Sequence, residues 1–144
     1  MKENTPVLYA EDDTNDAFFV ERAFGLAQIS NPLLIVGTGQ DAIDYMAGAG
    51  KYSNRLEFPA PCLVLLDLKM PLKSGLEVLA WIRAEHGAGI PVLVLTSSNQ
   101  ASDIYQAYAI GANGYLIKPG KPSELLLMVT GIKHFWLSVA SCEA

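Results

Sequence analysis

The chain has 144 residues, with ten Lys and Arg against fifteen Asp and Glu and a formal charge of −5, a field that repels polyphosphate backbones and argues against direct nucleic-acid binding. It is 51% hydrophobic and 17% charged, below the roughly 25% charged usual in globular chains, which excludes overall disorder. No apolar run reaches the ~18 residues that cross a bilayer. Cys62 and Cys142 form neither a disulfide framework nor a metal-ligand spacing, so a cytoplasmic, reducing setting is expected. Residues 1–144 are expected to form one domain, with tails at 1–5 and 141–144 and a long surface loop at 48–61. In chain order, Val7 to Ala10 reads as a strand, and Asp16 to Gln28 as a helix that Thr14 and Asn15 can cap. Leu33 to Val36 is the second strand and Asp41 to Ala47 the second helix. After the Pro- and Gly-broken stretch Gly48 to Pro61 comes a strand over Cys62 to Leu66. A helix follows over Leu76 to Glu85, preceded by Gly75 and closed by Gly87 and Gly89. Ile90 to Leu95 is the fourth strand and Ser102 to Ile110 the fourth helix, ended by Gly111. Tyr115 to Ile117 is the fifth strand, and a last helix runs from Ser123, behind Pro122, to about Ala140.

The five strands are rich in Val, Ile and Leu and lack a clean polar alternation, the pattern of strands covered on both faces. Strict alternation of strand and helix then gives an α/β fold, a doubly wound five-stranded parallel sheet with helices on both faces. In such a sheet ligands bind outside the carboxyl ends of the strands. There the sequence places Glu11, Asp12 and Asp13 after the first strand, Asp67 after the third, Thr96, Ser97 and Ser98 after the fourth, and Lys118 and Pro119 after the fifth. Converging carboxylates stay ionised only beside a compensating cation, most simply a hard divalent ion such as Mg2+. A lysine and a threonine hydroxyl at the same rim would stabilise a phosphoryl group on an Asp side chain.

Glu11-Asp12, Asp67 in LLDLKMP followed by Gly75, Thr96 in VLVLTS, and Tyr115 to Pro119 in YLIKP together resemble the receiver domain of two-component response regulators. The match extends from about Val7 into the last helix. The long loop before the third strand and the ending IKHFWL further resemble the small stand-alone regulators associated with bacterial phytochromes. The resemblance implies a flavodoxin-like strand order 2-1-3-4-5. It implies Asp67 as phosphoacceptor and Mg2+ held by Asp12, Asp67 and the Lys69 backbone carbonyl, with Glu11 acting through metal-bound water. It further implies that Lys118 pairs with the phosphoryl oxygens, that Thr96 swings toward them on phosphorylation, and that Tyr115 changes rotamer in response. A sensor histidine kinase or a phosphotransfer protein is the implied partner, and the chain is expected to catalyse only its own phosphorylation and dephosphorylation. Lys69 and Ser98 stand at variable positions that affect hydrolysis in this family. Gly120 departs from it, since an aromatic residue often follows Lys-Pro there. Many receivers carry a cis bond before the proline equivalent to Pro119.

Other features compete with this reading. Gly37, Gly39 and Ala42 spell G-x-G-x-x-A after a strand, a short dinucleotide-binding motif, but it follows the second strand, and Glu57 about twenty residues on lies in the loop. A phosphatase of the haloacid-dehalogenase type would need a second Asp where Lys69 stands. A degenerate receiver serving only as an interaction module would keep the fold without the chemistry. Along the last helix, Leu125, Val129, Ile132, Trp136 and Val139 form one apolar stripe, while Leu126, Leu127, Met128 and Phe135 add apolar surface on other faces. That excess points to a homodimer through the fourth and fifth helices; the rival is burial under the chain's own long loop.

Overall fold

The computed structural model describes residues 5–140, with side chains through Leu137. Five strands, β1 (Val7–Ala10), β2 (Leu33–Val36), β3 (Leu63–Leu66), β4 (Val92–Thr96) and β5 (Gly114–Ile117), alternate with α1 (Thr14–Leu26), α2 (Gly39–Ala47), α3 (Gly75–His86), α4 (Ala101–Ile110) and α5 (Pro122–Ile132). The strands form one parallel sheet in the order β2-β1-β3-β4-β5, so β1 and β3 lie side by side in its middle.

Side chains alternate across a strand, and both sets here are apolar. Val7, Tyr9, Leu63, Leu65, Leu93 and Leu95 pack against α1 and α5. Leu8, Ala10, Val64, Leu66 and Val92 pack against α2 and α3, and Val94 meets Ala107 of α4. A strand buried on both sides has no position left for a polar residue, which is why charge appears only where each strand ends.

Local signals differ from the expected ones in detail. Asp13, not Thr14 or Asn15, caps α1, accepting the backbone N–H groups of Asn15 and Asp16. Ser74 and Glu77 form a reciprocal capping box at α3. The described residues contain no cis peptide bond, so Lys118-Pro119 is trans. Cys62 is disulfide-bonded, which corrects the expectation of no disulfide.

The surface loop after α2 is folded back onto the domain. Gly50–Tyr52 forms a 3-10 turn, and the buried Tyr52 ring sits edge-on to Tyr45 and Phe58, with centroids 4.9 and 5.2 Å away. Arg55 holds the carbonyls of Phe58 and Met46. All of this covers α2, on the opposite face from α5, so the loop does not bury the excess apolar surface of the last helix.

In α5 the stripe begins as expected, with Leu125, Val129 and Ile132 buried. From Lys133 to Ala140 the helix widens to a π-type winding, which advances the buried position by one residue. Leu137 is therefore buried while Trp136 is only partly covered. The Val139 side chain lies outside the described ones.

Candidate phosphoryl site at the carboxyl edge of the sheet

Parallel neighbours in register bring the strand ends together: Ala10 is level with Leu66 and with Val36. Glu11 donates its backbone N–H to Val36 and Asp67 donates its own to Ala10, which fixes both acids just past the sheet edge. Across β4 and β5, the Lys118 N–H reaches the Thr96 carbonyl at 2.8 Å. Sheet hydrogen bonding alone thus delivers Glu11, Asp67, Thr96 and Lys118 to the mouth of one cleft of about 960 Å³, which Asp12, Asp16 and Lys69 also line.

Within it the charges are tightly knit. Lys118 Nζ lies 2.5 Å from Glu11 Oε1, 2.8 Å from Asp16 Oδ2 and 2.8 Å from Asp67 Oδ2. An ammonium has three N–H donors, and all three are engaged. Asp67 Oδ1 accepts the Thr96 hydroxyl at 2.9 Å and the Lys69 backbone N–H at 3.3 Å. Glu11 is held as firmly: Tyr9 donates its hydroxyl to Oε1 at 3.0 Å, and the Asp13 N–H donates to Oε2 at 3.1 Å. Glu11, Asp67 and Thr96 are nearly inaccessible to solvent, and Asp12 is exposed.

Burial raises the pKa of both acids, but their partners separate them. Glu11 is pushed up to about 7 by burial, with Lys118 pulling it down and the adjacent Asp67 pushing it further up. Asp67 suffers the same burial, yet hydrogen bonds from Lys118, and also Glu11 and Thr96, hold it below the ordinary carboxylate range. Of the two, Asp67 is the one that stays ionised. Burial opposes the Lys118 charge, but Asp16, Asp67 and Glu11 outweigh it and raise the lysine's pKa.

One ammonium still faces four acidic side chains, Glu11, Asp12, Asp16 and Asp67. Oxygen atoms of Glu11, Asp12 and Asp67 lie within 4.8 Å of one another. This all-oxygen donor set fits a hard divalent cation.

Every residue expected at the site is placed at or beside it. Lys69 borders the cleft. Tyr115 stands one step back, packed beside Leu68, Val94 and Ala107 and donating its hydroxyl to the Ser98 carbonyl at 2.9 Å. The Thr96 hydroxyl already points at Asp67. Asp13 is occupied in capping. Sequence reasoning missed Asp16, Tyr9 and the Ser98–Asp103 hydrogen bond of 2.5 Å. For Asp16 a signal existed: it is an acidic residue in the first turn of α1, the turn that directly follows the Glu11-Asp12-Asp13 run.

The dinucleotide motif has another explanation. A Cβ on Gly39 would sit 2.0 Å from the Lys73 carbonyl oxygen, and the Gly39 N–H contacts the Pro71 carbonyl at 3.3 Å. The glycine makes room for the loop after β3, leaving no approach for a pyrophosphate there.

The family model of the response regulator receiver domain matches residues 7–130. The chain belongs to that family. Among receiver relatives, the response regulator Rcp1 of Synechocystis sp. is 36% identical over 139 residues, covering 96% of this chain and 92% of the relative. Solved structures similar to this receiver include the phosphorylated cyanobacterial phytochrome response regulator RcpA, 34% identical with a TM-score of 0.87 over 95% of this chain and 96% of that one. The Mn(2+)-bound form of Rcp1 is 35% identical with a TM-score of 0.87, covering 97% of this chain and 99% of its own. Response regulator RPA3017 in red light signaling of R. palustris is 35% identical with a TM-score of 0.88, covering 94% and 96%. Membership in the family implies a histidine kinase as phosphoryl source.

Proposed function

We propose that this receiver is a phosphorylation-operated switch whose phosphoacceptor is Asp67. The observation that carries the reading is the placement of Asp67 at the end of central strand β3, held between Lys118 and Thr96 with Glu11 and Asp12 alongside. The Asp67 oxygen attacks the phosphorus of a phosphohistidine; the O–P bond forms as the N–P bond breaks, and the imidazole nitrogen keeps the electron pair. Asp12, Asp67 and the Lys69 carbonyl would hold Mg2+, with Glu11 acting through its water, and the ion would neutralise charge gathering on the phosphoryl oxygens. Lys118 supplies the second positive charge and Thr96 a hydroxyl donor. The added group brings about −1.5 to −2 charge, and the shift it forces at Thr96 passes through the Ser98 loop to Tyr115 and the surface of α4, β5 and α5.

Similarity to RcpA and RPA3017 supports a bacterial phytochrome as the kinase. Leu127 and Phe135 on the last helix and Tyr105 and Ile117 nearby are largely exposed, which supports a homodimer through α4 and α5; sedimentation that stays monomeric at high micromolar concentration would count against it. Chemistry confined to the chain's own acyl phosphate makes it no enzyme on a metabolite, and the acidic surface gives no purchase to nucleic acid. No helix among the described residues is long and apolar enough to cross a membrane. Similarity to Rcp1 supports a cytoplasmic setting; the Cys62 disulfide pulls the other way, since such bonds are uncommon in reducing compartments.

The test is labelling by acetyl phosphate. Label should appear only with Mg2+ and should vanish in Asp67→Asn; equal label in that variant would overturn the assignment.

A further inference from the structure

We infer that Asp16 is a positioning residue that keeps Lys118 at the rim of the site when a cation displaces it from the metal-binding carboxylates. The inference rests on the proposed divalent-ion and phosphoryl chemistry of the same cleft and assigns a part of its regulation to α1.

The three acceptors around the Lys118 ammonium differ in kind. Glu11 and Asp67 are buried members of the oxygen cluster that fits a divalent ion. Asp16 stands outside that cluster, on the first turn of α1, with its side chain 40% exposed and its Oδ2 2.8 Å from Nζ. It is also rigidly mounted, because its backbone N–H is capped by Asp13 at 3.0 Å. A cation arriving at Glu11, Asp12 and Asp67 competes with Lys118 for Glu11 and Asp67. Asp16 is the acceptor that competition leaves alone, so it gives the ammonium a place to stay within reach of Asp67.

Without that acceptor, displacing Lys118 from Glu11 and Asp67 leaves the ammonium with no carboxylate partner, so the incoming cation meets more resistance. Asp16→Asn should therefore weaken Mg2+ binding to the unphosphorylated protein, measured by calorimetry, about five-fold, the size of one partly exposed ion pair. A plain loss of charge would weaken it too, so the deciding measurement is the same substitution in a Lys118→Met background. There the effect should shrink below about two-fold, and Asp16→Glu in the native background should restore most of the affinity. Equal weakening in both backgrounds, or none in either, overturns the positioning role. Acetyl phosphate labelling of the unaltered protein separates the two ideas: no label there sinks the phosphoryl reading, whereas normal label with uncoupled Asp16 and Lys118 sinks only this one.

Discussion

Thr96 Oγ1 donates to Asp67 Oδ1 at 2.9 Å across the β3–β4 pair, and both side chains are almost wholly buried. The hydroxyl therefore does part of its work before any phosphoryl group arrives, by satisfying a charged oxygen that has little access to water. Thr96→Val keeps the shape and removes the donor. It should lower stability by about 1–3 kcal/mol, the cost of leaving a buried acceptor short of a partner, read from the midpoint of urea unfolding.

Lys118 has the opposite character: it is destabilised by burial and rescued by three carboxylates. Lys118→Met leaves Glu11 and Asp67 facing each other without their cation. The metal-free variant should lose about 3 kcal/mol or somewhat more, as when one partner of a buried pair is removed. A divalent ion binds folded chains only, so adding Mg2+ at many times its dissociation constant should recover up to about 3 kcal/mol by mass action. Thermal unfolding with and without Mg2+ checks this; a variant whose melting does not respond to Mg2+ would remove the acidic cluster from consideration as a metal site.

Gly75 begins α3 against the back of the site. A Cβ there would lie 2.1 Å from the Asp67 carbonyl oxygen and 2.7 Å from the Leu68 Cα, and both obstacles are backbone. Gly75→Ala should thus cost about 1–3 kcal/mol as overpacking does, and should also displace Asp67, reducing acetyl phosphate labelling beyond what the stability loss explains. Gly120→Ala, where nothing lies within 4 Å, is the matched control and should leave labelling unchanged.

The contrast between these residues shows what a sequence can carry. Asp67, Thr96 and Lys118 were legible because parallel strands of a doubly wound sheet deliver their last residues to one edge, whatever the side chains do next. Asp16 was not, because its contact with Lys118 spans 102 positions and depends on how α1 sits over the sheet. The direction of the Thr96 hydroxyl was equally hidden, since it is a rotamer choice set by Asp67. In the last helix the 3.6-residue period was right as far as Ile132, and the π-type widening that buries Leu137 has no mark in the apolar pattern.

Alkaline pH should reveal the same packing. Tyr9 and Tyr52 are held well above an ordinary phenol, first by burial and then by the carboxylates their hydroxyls touch, Glu11 and Asp41. Lys118 is raised as well, its carboxylate partners outweighing burial. In each case the folded chain binds the proton more tightly than the unfolded chain. Their contribution is complete below the unfolded values, about 10 for Tyr and 10.4 for Lys, and is lost as pH rises beyond them toward the folded values. Stability should therefore fall above about pH 10. Tyrosinate absorbance should show Tyr9 and Tyr52 ionising only as the chain unfolds. Replacing Tyr9 with Phe should flatten the fall. If all tyrosines ionised together near pH 10 with the far-UV signal intact, the burial of Tyr9 against Glu11 would be refuted.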